Sequence, residues 1–360
     1  MKSQSSVLST QRGAGVPLIK KNAVPILFAV LCALGVMVAQ IDSLFLVNEI
    51  INRLARNSFL VLALLIPVSA GLGLNFAIVI GAMAGQIAII VITHFKIKGL
   101  LGFILAMVGC IPLAAFMGYL AGQVMNRAKG REMITSMILG FFANGLYQLV
   151  FLFLVGTVIP MKNRAMMLPG GVGLRNTIDL YHTAGTLDKL WRINIGGIRI
   201  PMATLLLVAL LCIGLHFLMR TRLGQEMRAV GQDLHIAAVA GIDVDRTRII
   251  AMIFSTVLAA WGQLIFLQNI STLNTYNSHE QVGTFAIAAL LVGGATASKA
   301  SIWQAIVGLL LFHTLFVVSP LAGQAIIGIP QIGEYFRVFI AYGVIAVALA
   351  LHAWQSRAEG

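Results

Sequence analysis

The stretch ATLLLVALLCIGLHFLM (203–219) and the stretch that follows it, RTRLGQEMRAVGQDLHIAAVAGIDVDRTR (220–248), decide the fold class of this chain. The first is almost wholly apolar, whereas the second is the most charged segment of the sequence. An apolar run of this length favours a helix that crosses a membrane, because the strands of a membrane barrel would alternate apolar and polar residues. The charged stretch is therefore expected to lie in water beside the membrane, where it can meet a soluble partner.

The composition of the whole chain agrees with this interpretation. Of its 360 residues, 59% are hydrophobic and only 10% are charged, and the mean hydropathy is +0.93. A soluble domain carries about 25% charged residues. The solvent of this chain is therefore lipid, and its backbone must satisfy its own hydrogen bonds within helices. We predict an all-α, polytopic membrane protein.

The net charge of +13 does not indicate a nucleic-acid partner. The basic residues are scattered through short loops, which is typical of loops that remain cytoplasmic and contact anionic membrane lipid. Cys32, Cys110 and Cys212 stand singly in apolar runs and indicate neither a disulfide framework nor a metal site.

About ten transmembrane helices are predicted, within a membrane domain at 23–355 that follows a cytoplasmic tail at 1–22. An even number of spans places both termini in the cytoplasm. Small residues at GxxxG spacing, as in Gly81/Gly85 and Gly118/Gly122, predict close helix packing. The predicted spans are about 24–40, 58–71, 75–95, 100–124, 133–157, 201–219, 249–270, 283–296, 302–318 and 335–353.

The connections carry further expectations. Residues 41–57 have an apolar face and a charged face, so they predict a short helix on the outer membrane surface. The polar stretch 158–200 is expected to be an extracytoplasmic loop, and WRINIGGIRIP (191–201) within it predicts a β-hairpin. SAGLGLN (69–75) fits either a broken helix or an ordinary tight turn.

The polar residues inside the spans are the candidates for a solute pathway. None of the 12 Asp and Glu residues is placed at the centre of a span, which argues against a proton-driven carrier. Amides can hydrogen-bond a neutral polar solute, although they can equally bond a neighbouring helix. The pathway candidates are Asn75, Gln86, Asn144, Gln148 and Gln263.

Motifs for catalysis are missing from the sequence. It contains no HExxH, no GxSxG and no Gly-rich loop that ends in Gly-Lys-Ser/Thr. An intramembrane enzyme would have to depend on the lone His216 or His313, and this class is disfavoured. The chain is therefore predicted not to be an enzyme and to bind no cofactor directly.

The charged stretch carries a resemblance to a known family. Gly224 to Asp233, then Ala237-Ala238, then Gly241 to Val244, resemble the cytoplasmic signature of ABC-importer permeases that serve ribose-like sugars, nucleosides and branched-chain amino acids. Ala286 to Ala289 and Val292 to Gly294 resemble a second family run. After it the chain departs, because Ala297 to Ser301 stand where the family usually has more glycines.

The resemblance implies a multi-subunit importer in a bacterial inner membrane. Two permease chains, identical or related, would pair, two ATP-binding cassette subunits would dock on them with ATP and Mg, and an extracytoplasmic binding protein would deliver the solute. Short cytoplasmic helices at 220–248 would couple the ATPase to the spans. The coupling residues that it implies are Gly224, Glu226, Arg228, Ala229, Gly231, Asp233, Ala237, Ala238 and Gly241.

The predicted function is therefore the transmembrane subunit of an ATP-driven importer of a neutral polar solute, a simple sugar or a nucleoside. Gly231 and Gly241 are expected to end or bend the short helices. The alternative is a secondary transporter or channel that works without an ATPase. Membrane lipid is an expected partner, and nucleic acid is not.

Overall fold

The apolar segments fold into helices that pack side by side in a bundle. The computed structural model describes residues 22–329 continuously and individual positions between 331 and 350. Leu, Ile, Val, Met and Ala dominate these segments, and a π-helical turn at Val150–Leu154 extends α6. The helices of the described part are α1 (Ala23–Ala39), α2 (Ser43–Ala63), α3 (Leu65–Ser69), α4 (Ile78–His94), α5 (Gly99–Arg127), α6 (Glu132–Leu149), α7 (Thr186–Leu190), α8 (Met202–Leu218), α9 (Arg222–Gln232), α10 (Leu234–Val239), α11 (Val244–Ile270), α12 (Ser278–Val292) and α13 (Ile302–Ile327).

Several of these helices are long and apolar enough to cross a membrane. In the described part there are five such stretches, and a sixth if α8 and α9, which are bent by 74° relative to each other, count as one. α1 and α4 are apolar but shorter, at 17 residues each. The chain is thus a multi-pass membrane protein, and the number ten stays a prediction. Apart from Asn22, the predicted tail at 1–22 lies outside the described residues, as does much of the predicted span at 335–353. The five stretches are Ser43–Ser69, Gly99–Arg127, Glu132–Leu154, Val244–Ile270 and Ile302–Ile327.

The prediction of a separate surface helix at 41–57 is wrong. This segment is the first part of α2, which Asp42 caps by accepting hydrogen bonds from the backbone N–H groups of Leu44 and Phe45. Its charged face finds partners within the protein. Arg53 bonds Glu49 at 2.7 Å, and Arg56 donates to another helix. A charged helix face that is satisfied in this way need not lie on the membrane surface.

The segment 69–75 is a turn between two helices. Gly71 and Gly73 both have φ of +69°, a left-handed conformation that glycine adopts at little cost. α2 begins and α4 finishes at the same end of the bundle, so α2–α3 and α4 run in opposite directions. The segment is thus a turn, while the break at Leu64 and the five-residue α3 before it also agree with the broken-helix interpretation.

The end of the bundle at which α2 begins is closed by strands and loops. β1 (Thr177–Asp179) pairs antiparallel with β4 (Thr272–Asn274). β2 (Arg192–Ile195) and β3 (Ile198–Pro201) form the predicted hairpin. Asn48 of α2 holds the hairpin, because its amide donates to the Gly197 carbonyl at 3.1 Å and its Oδ1 accepts from the Arg199 N–H at 2.7 Å.

The opposite end of the bundle carries the connections between α3 and α4, between α5 and α6, and from α8 to α11. Lys129 pairs with Asp245 at 2.6 Å, and Arg248 pairs with Glu132 at 2.6 Å. These ion pairs fasten the start of α11 to the connection between α5 and α6.

Helices α4 and α5 pack closely against α11, which confirms the expectation from their glycines. A Cβ at Gly81 would overlap the Thr256 carbonyl oxygen, and one at Gly118 would overlap the Thr256 hydroxyl. That hydroxyl also donates to the Ala114 carbonyl at 3.1 Å. Small residues here allow the helix backbones to approach.

Candidate functional site

A cluster of polar side chains lies inside the bundle around the start of α12. We call it the polar cluster, and at its centre is the wholly buried His279. One ring nitrogen of His279, Nδ1, lies 2.7 Å from Gln86 Oε1, and the other, Nε2, lies 2.9 Å from Asn144 Oδ1. The members of the polar cluster are Gln86, Asn144, Gln263, Ser278, His279 and Glu280.

The polar cluster is deep because α12 begins inside the bundle. Gln86, which lies beside His279 in the polar cluster, is the ninth residue of the 17-residue helix α4. After α11 the chain returns inward through β4, whose Asn274 carbonyl accepts a hydrogen bond from Gln86 at 3.5 Å. Gln263 of α11 donates to the Ser278 hydroxyl at 3.2 Å. The first turn of α12 therefore directs its backbone N–H groups, and the positive end of its dipole, toward the bundle interior.

The structure brings together three of the five predicted pathway residues. Gln86, Asn144 and Gln263 all belong to the polar cluster. Asn75 does not: it lies in the α3–α4 turn at the other end of α4, where its Oδ1 accepts from the Ala77 N–H at 3.0 Å. Gln148 lies one turn beyond Asn144 on α6, is half-buried and stays outside the polar cluster.

Sequence reasoning missed two central residues, His279 and Glu280. The predicted span began at residue 283, so both were assigned to a loop. Glu280 lies in the first turn of α12, where it accepts a hydrogen bond from Asn144, so the expectation that no carboxylate lies at the centre of a span stays a prediction. Ser278 followed three residues later by Gln281, ahead of the apolar stretch that starts at Phe285, is a helix-start signal that could have located them.

The charged stretch 220–248 folds as two short helices followed by the start of α11. Asp233 caps α10 by accepting from the N–H groups of His235 at 2.7 Å and Ile236 at 2.9 Å. The hydrogen bonds from Ile236 and His235 hold the pKa of the Asp233 carboxyl below its ordinary value, so the cap is charged at neutral pH. Glu226 pairs with Arg222 at 2.8 Å, and Arg228 donates to the Met219 carbonyl.

Two glycines of this stretch have different roles. Gly241 follows α10 with φ of +82°, which confirms that it ends the helix. The expectation that Gly231 ends or bends a helix is corrected, because Gly231 lies within α9 and not in the left-handed region. A Cβ at Gly231 would overlap the Ser69 carbonyl oxygen, and its backbone also touches Gly71. Glycine is needed at position 231 for contact with the α3–α4 turn.

The two short helices bury one face and expose another. Val230, Ala237 and Val244 form a small buried cluster, and Gly224 packs against the backbone at Met219. Ile236 and Val239 project into solvent, with 67% and 78% of their surface exposed. Ala238 is also exposed, and Ala229 is half-buried. Exposed apolar side chains at one end of a membrane bundle indicate a site for a protein partner.

Comparison with known proteins gives a family. The family described as the branched-chain amino acid transport system permease component matches residues 46–349. No solved structure matches the chain at a significant level.

Three relatives have names that state a transport role. The xylose transport system permease protein XylH of Haemophilus influenzae is 25% identical over 152 residues, which cover 42% of this chain and 38% of that protein. The inner membrane ABC transporter permease protein YjfF of Escherichia coli is 28% identical over 257 residues, 69% of this chain and 68% of the relative. The D-allose transport system permease protein AlsC of Escherichia coli is 23% identical over 299 residues, 79% of each. Since the family match covers most of the sequence, the chain belongs to the family of branched-chain amino acid transport system permease components.

Proposed function

We propose that this protein is the transmembrane subunit of an ATP-driven importer and forms the pathway for a simple sugar. Family membership supports the permease role, and the names of the xylose and D-allose relatives favour a sugar over a nucleoside. One structural observation carries the proposal. The charged stretch exposes Ile236 and Val239 on one side, while Gly231 on the other side contacts the α3–α4 turn.

The arrangement supports a way in which movement of the ATPase could reach the membrane helices. In this proposal α9 and α10 are coupling helices, and a cleft on an ATP-binding cassette subunit receives Ile236 and Val239. The ATPase carries ATP and Mg, and its closure moves α9 against the α3–α4 turn. The turn leads directly into α4, so its movement shifts Gln86 relative to His279. A displacement between two packed arrangements is a common mode of alternating access.

The assembly and orientation follow from this role. Two cassette subunits dock at the end that carries 220–248, which is cytoplasmic, and a second permease chain completes the pathway. The full chain has about ten spans with both termini in the cytoplasm of a bacterium. The loop 158–200 then faces the outside and meets the binding protein.

The charge of the outer end supports a soluble protein partner there. The segments 94–99 and 158–200 contain one exposed carboxylate, Asp179, because Asp188 is buried. A basic face suits the docking of a protein with carboxylates on its surface. The exposed basic residues of these segments are Lys96, Lys98, Lys162, Arg164, Arg175, Lys189, Arg192 and Arg199.

The test is whether the exposed apolar face of α10 holds an ATPase. Ile236→Glu together with Val239→Glu should abolish copurification of the cassette subunit and ATP-dependent sugar uptake, because the charges would have to be buried at the contact. Ile195→Glu, at a side chain that is 62% exposed at the other end, is the matched control and should leave copurification of the cassette subunit unchanged. Uptake by the purified chain without any ATPase would contradict the proposal and favour a secondary transporter or channel.

A further inference from the structure

A cleft of about 750 Å³ opens beside the polar cluster, lined by residues in or next to α4, α6 and α12 and by Tyr342 and Ala346. Its volume lies in the range of small-molecule sites. Aromatic rings of Phe76 and Phe141 line it on one side, and polar groups of Glu280, Gln281 and Thr284 line it on the other. None of the pathway residues predicted from the sequence lines this cleft.

The polar cluster holds the Glu280 carboxylate in place at the wall of the cleft. Asn144 uses its Oδ1 toward His279 and its Nδ2 toward Glu280 Oε1, so that one amide joins the two side chains. Nδ1 of His279 lies 2.7 Å from Gln86 Oε1 on its other side. Oε2 of Glu280 has no hydrogen-bond partner among the described residues, which leaves it able to accept hydrogen bonds from a molecule in the cleft.

The lining fits a polyhydroxylated ring. A carboxylate accepts hydrogen bonds from hydroxyl groups, and such charge-assisted bonds are stronger than neutral ones. Gln281 and Thr284 can both donate and accept. Phe76 and Phe141 provide apolar surface for the faces of a sugar ring that carry C–H groups.

We propose that this cleft binds the solute in transit, with Glu280 accepting hydrogen bonds from the hydroxyls of a monosaccharide. The inference rests on the proposed function and adds to it a site on the permease itself. Asn144 and His279 are positioning residues in this site, since they act through Glu280.

A labelling experiment on the full-length chain tests the site. Cys32, Cys110 and Cys212 are replaced, and Met137→Cys is introduced as a reporter in the wall of the cleft. D-xylose or D-allose should slow the reaction of this cysteine with a maleimide in lipid nanodiscs. Glu280→Gln should raise the sugar concentration needed for half protection by about tenfold or more, as expected when a hydrogen bond to a charged group is weakened.

Two further variants keep the result interpretable. Phe141→Ala should also weaken protection, and because its side chain is 66% exposed, the change should leave folding intact. Glu49→Gln removes a carboxylate outside the cleft and should leave protection unchanged. If neither sugar protects the parent chain, or if Glu280→Gln and Phe141→Ala leave protection unaltered, the inference is overturned. Association with the ATPase depends on α10, so the copurification result is independent of the outcome of this labelling experiment.

Discussion

At Gly231 the absence of a side chain lets two backbones touch. At this contact, a side chain at position 231 would overlap the backbone at Ser69 and crowd Gly71 in the α3–α4 turn. The turn holds Asn75 at one end of α4, and Gln86 lies further along the same helix. The close contact at Gly231 thus links the charged stretch to the polar cluster through the α3–α4 turn and α4.

This contact gives a prediction for Gly231→Ala. The new Cβ would overlap the Ser69 carbonyl oxygen, so α9 must move away from the turn. We expect ATP-dependent uptake by the reconstituted importer to fall about tenfold, within the usual range of coupling between sites, while ATP hydrolysis continues. Gly109→Ala, where a Cβ would meet nothing within 4 Å, is the control. Normal uptake by the Gly231 variant would show that the contact transmits nothing.

At the scale of elements, a buried ion pair fastens α11 to α6. Arg248 is wholly buried and pairs with Glu132 at 2.6 Å, and its Nε and Nη1 have no further partner among the described residues. A second pair, Lys129–Asp245, is largely exposed. Both pairs hold the start of α11, but Glu132 belongs to α6 and Lys129 to the connection before it, and only the Arg248–Glu132 pair is buried.

The difference in burial predicts different effects on stability. Glu132→Gln should lower the free energy of unfolding in detergent by about 3 kcal/mol, because it leaves the buried Arg248 charge without a counter-ion. Lys129→Ala should cost less than about 1 kcal/mol, as exposed pairs usually do. Denaturant titration of both variants measures the contrast. Equal losses would mean that Arg248 is hydrated in the folded protein.

At the scale of the whole molecule, the two ends of the bundle differ in charge and in shape. One end presents two short helices with an exposed apolar face. The other presents the hairpin, the β1–β4 ladder and a surface with many more cations than carboxylates. Such an asymmetry suits a protein that meets different soluble partners on the two sides of a membrane.

The basic end predicts salt-sensitive docking of the binding protein. Raising the ionic strength should weaken its association with the importer in nanodiscs of neutral lipid, because screening reduces attraction between exposed charges. Lys96→Glu with Lys98→Glu should weaken association at low salt. Lys129→Glu, at the other end, is the control and should have no effect. Binding that requires anionic lipid instead would identify the basic face as a lipid contact.

Much of the fold could be predicted from local sequence. Apolar runs are helices, WRINIGGIRIP is a hairpin, and the small residues at Gly81 and Gly118 lie where helices touch. These features depend on residues near one another in the chain. The helix at 41–57 could not be placed, because whether its charged face meets lipid headgroups or Asn269 depends on a distant helix.

The sequence by itself determined a membrane bundle, a charged stretch at one end of it and three of the amides that meet in the polar cluster. Hydropathy and residue type suffice for these, since a long apolar run can satisfy its backbone in lipid only as a helix. Only the tertiary structure decided that α12 begins deep in the bundle, that Glu280 reaches the wall of a cleft, and that Gly231 touches the α3–α4 turn. Each of these three features depends on how the chain folds back into contact with earlier segments. That path is set by packing between segments far apart in sequence.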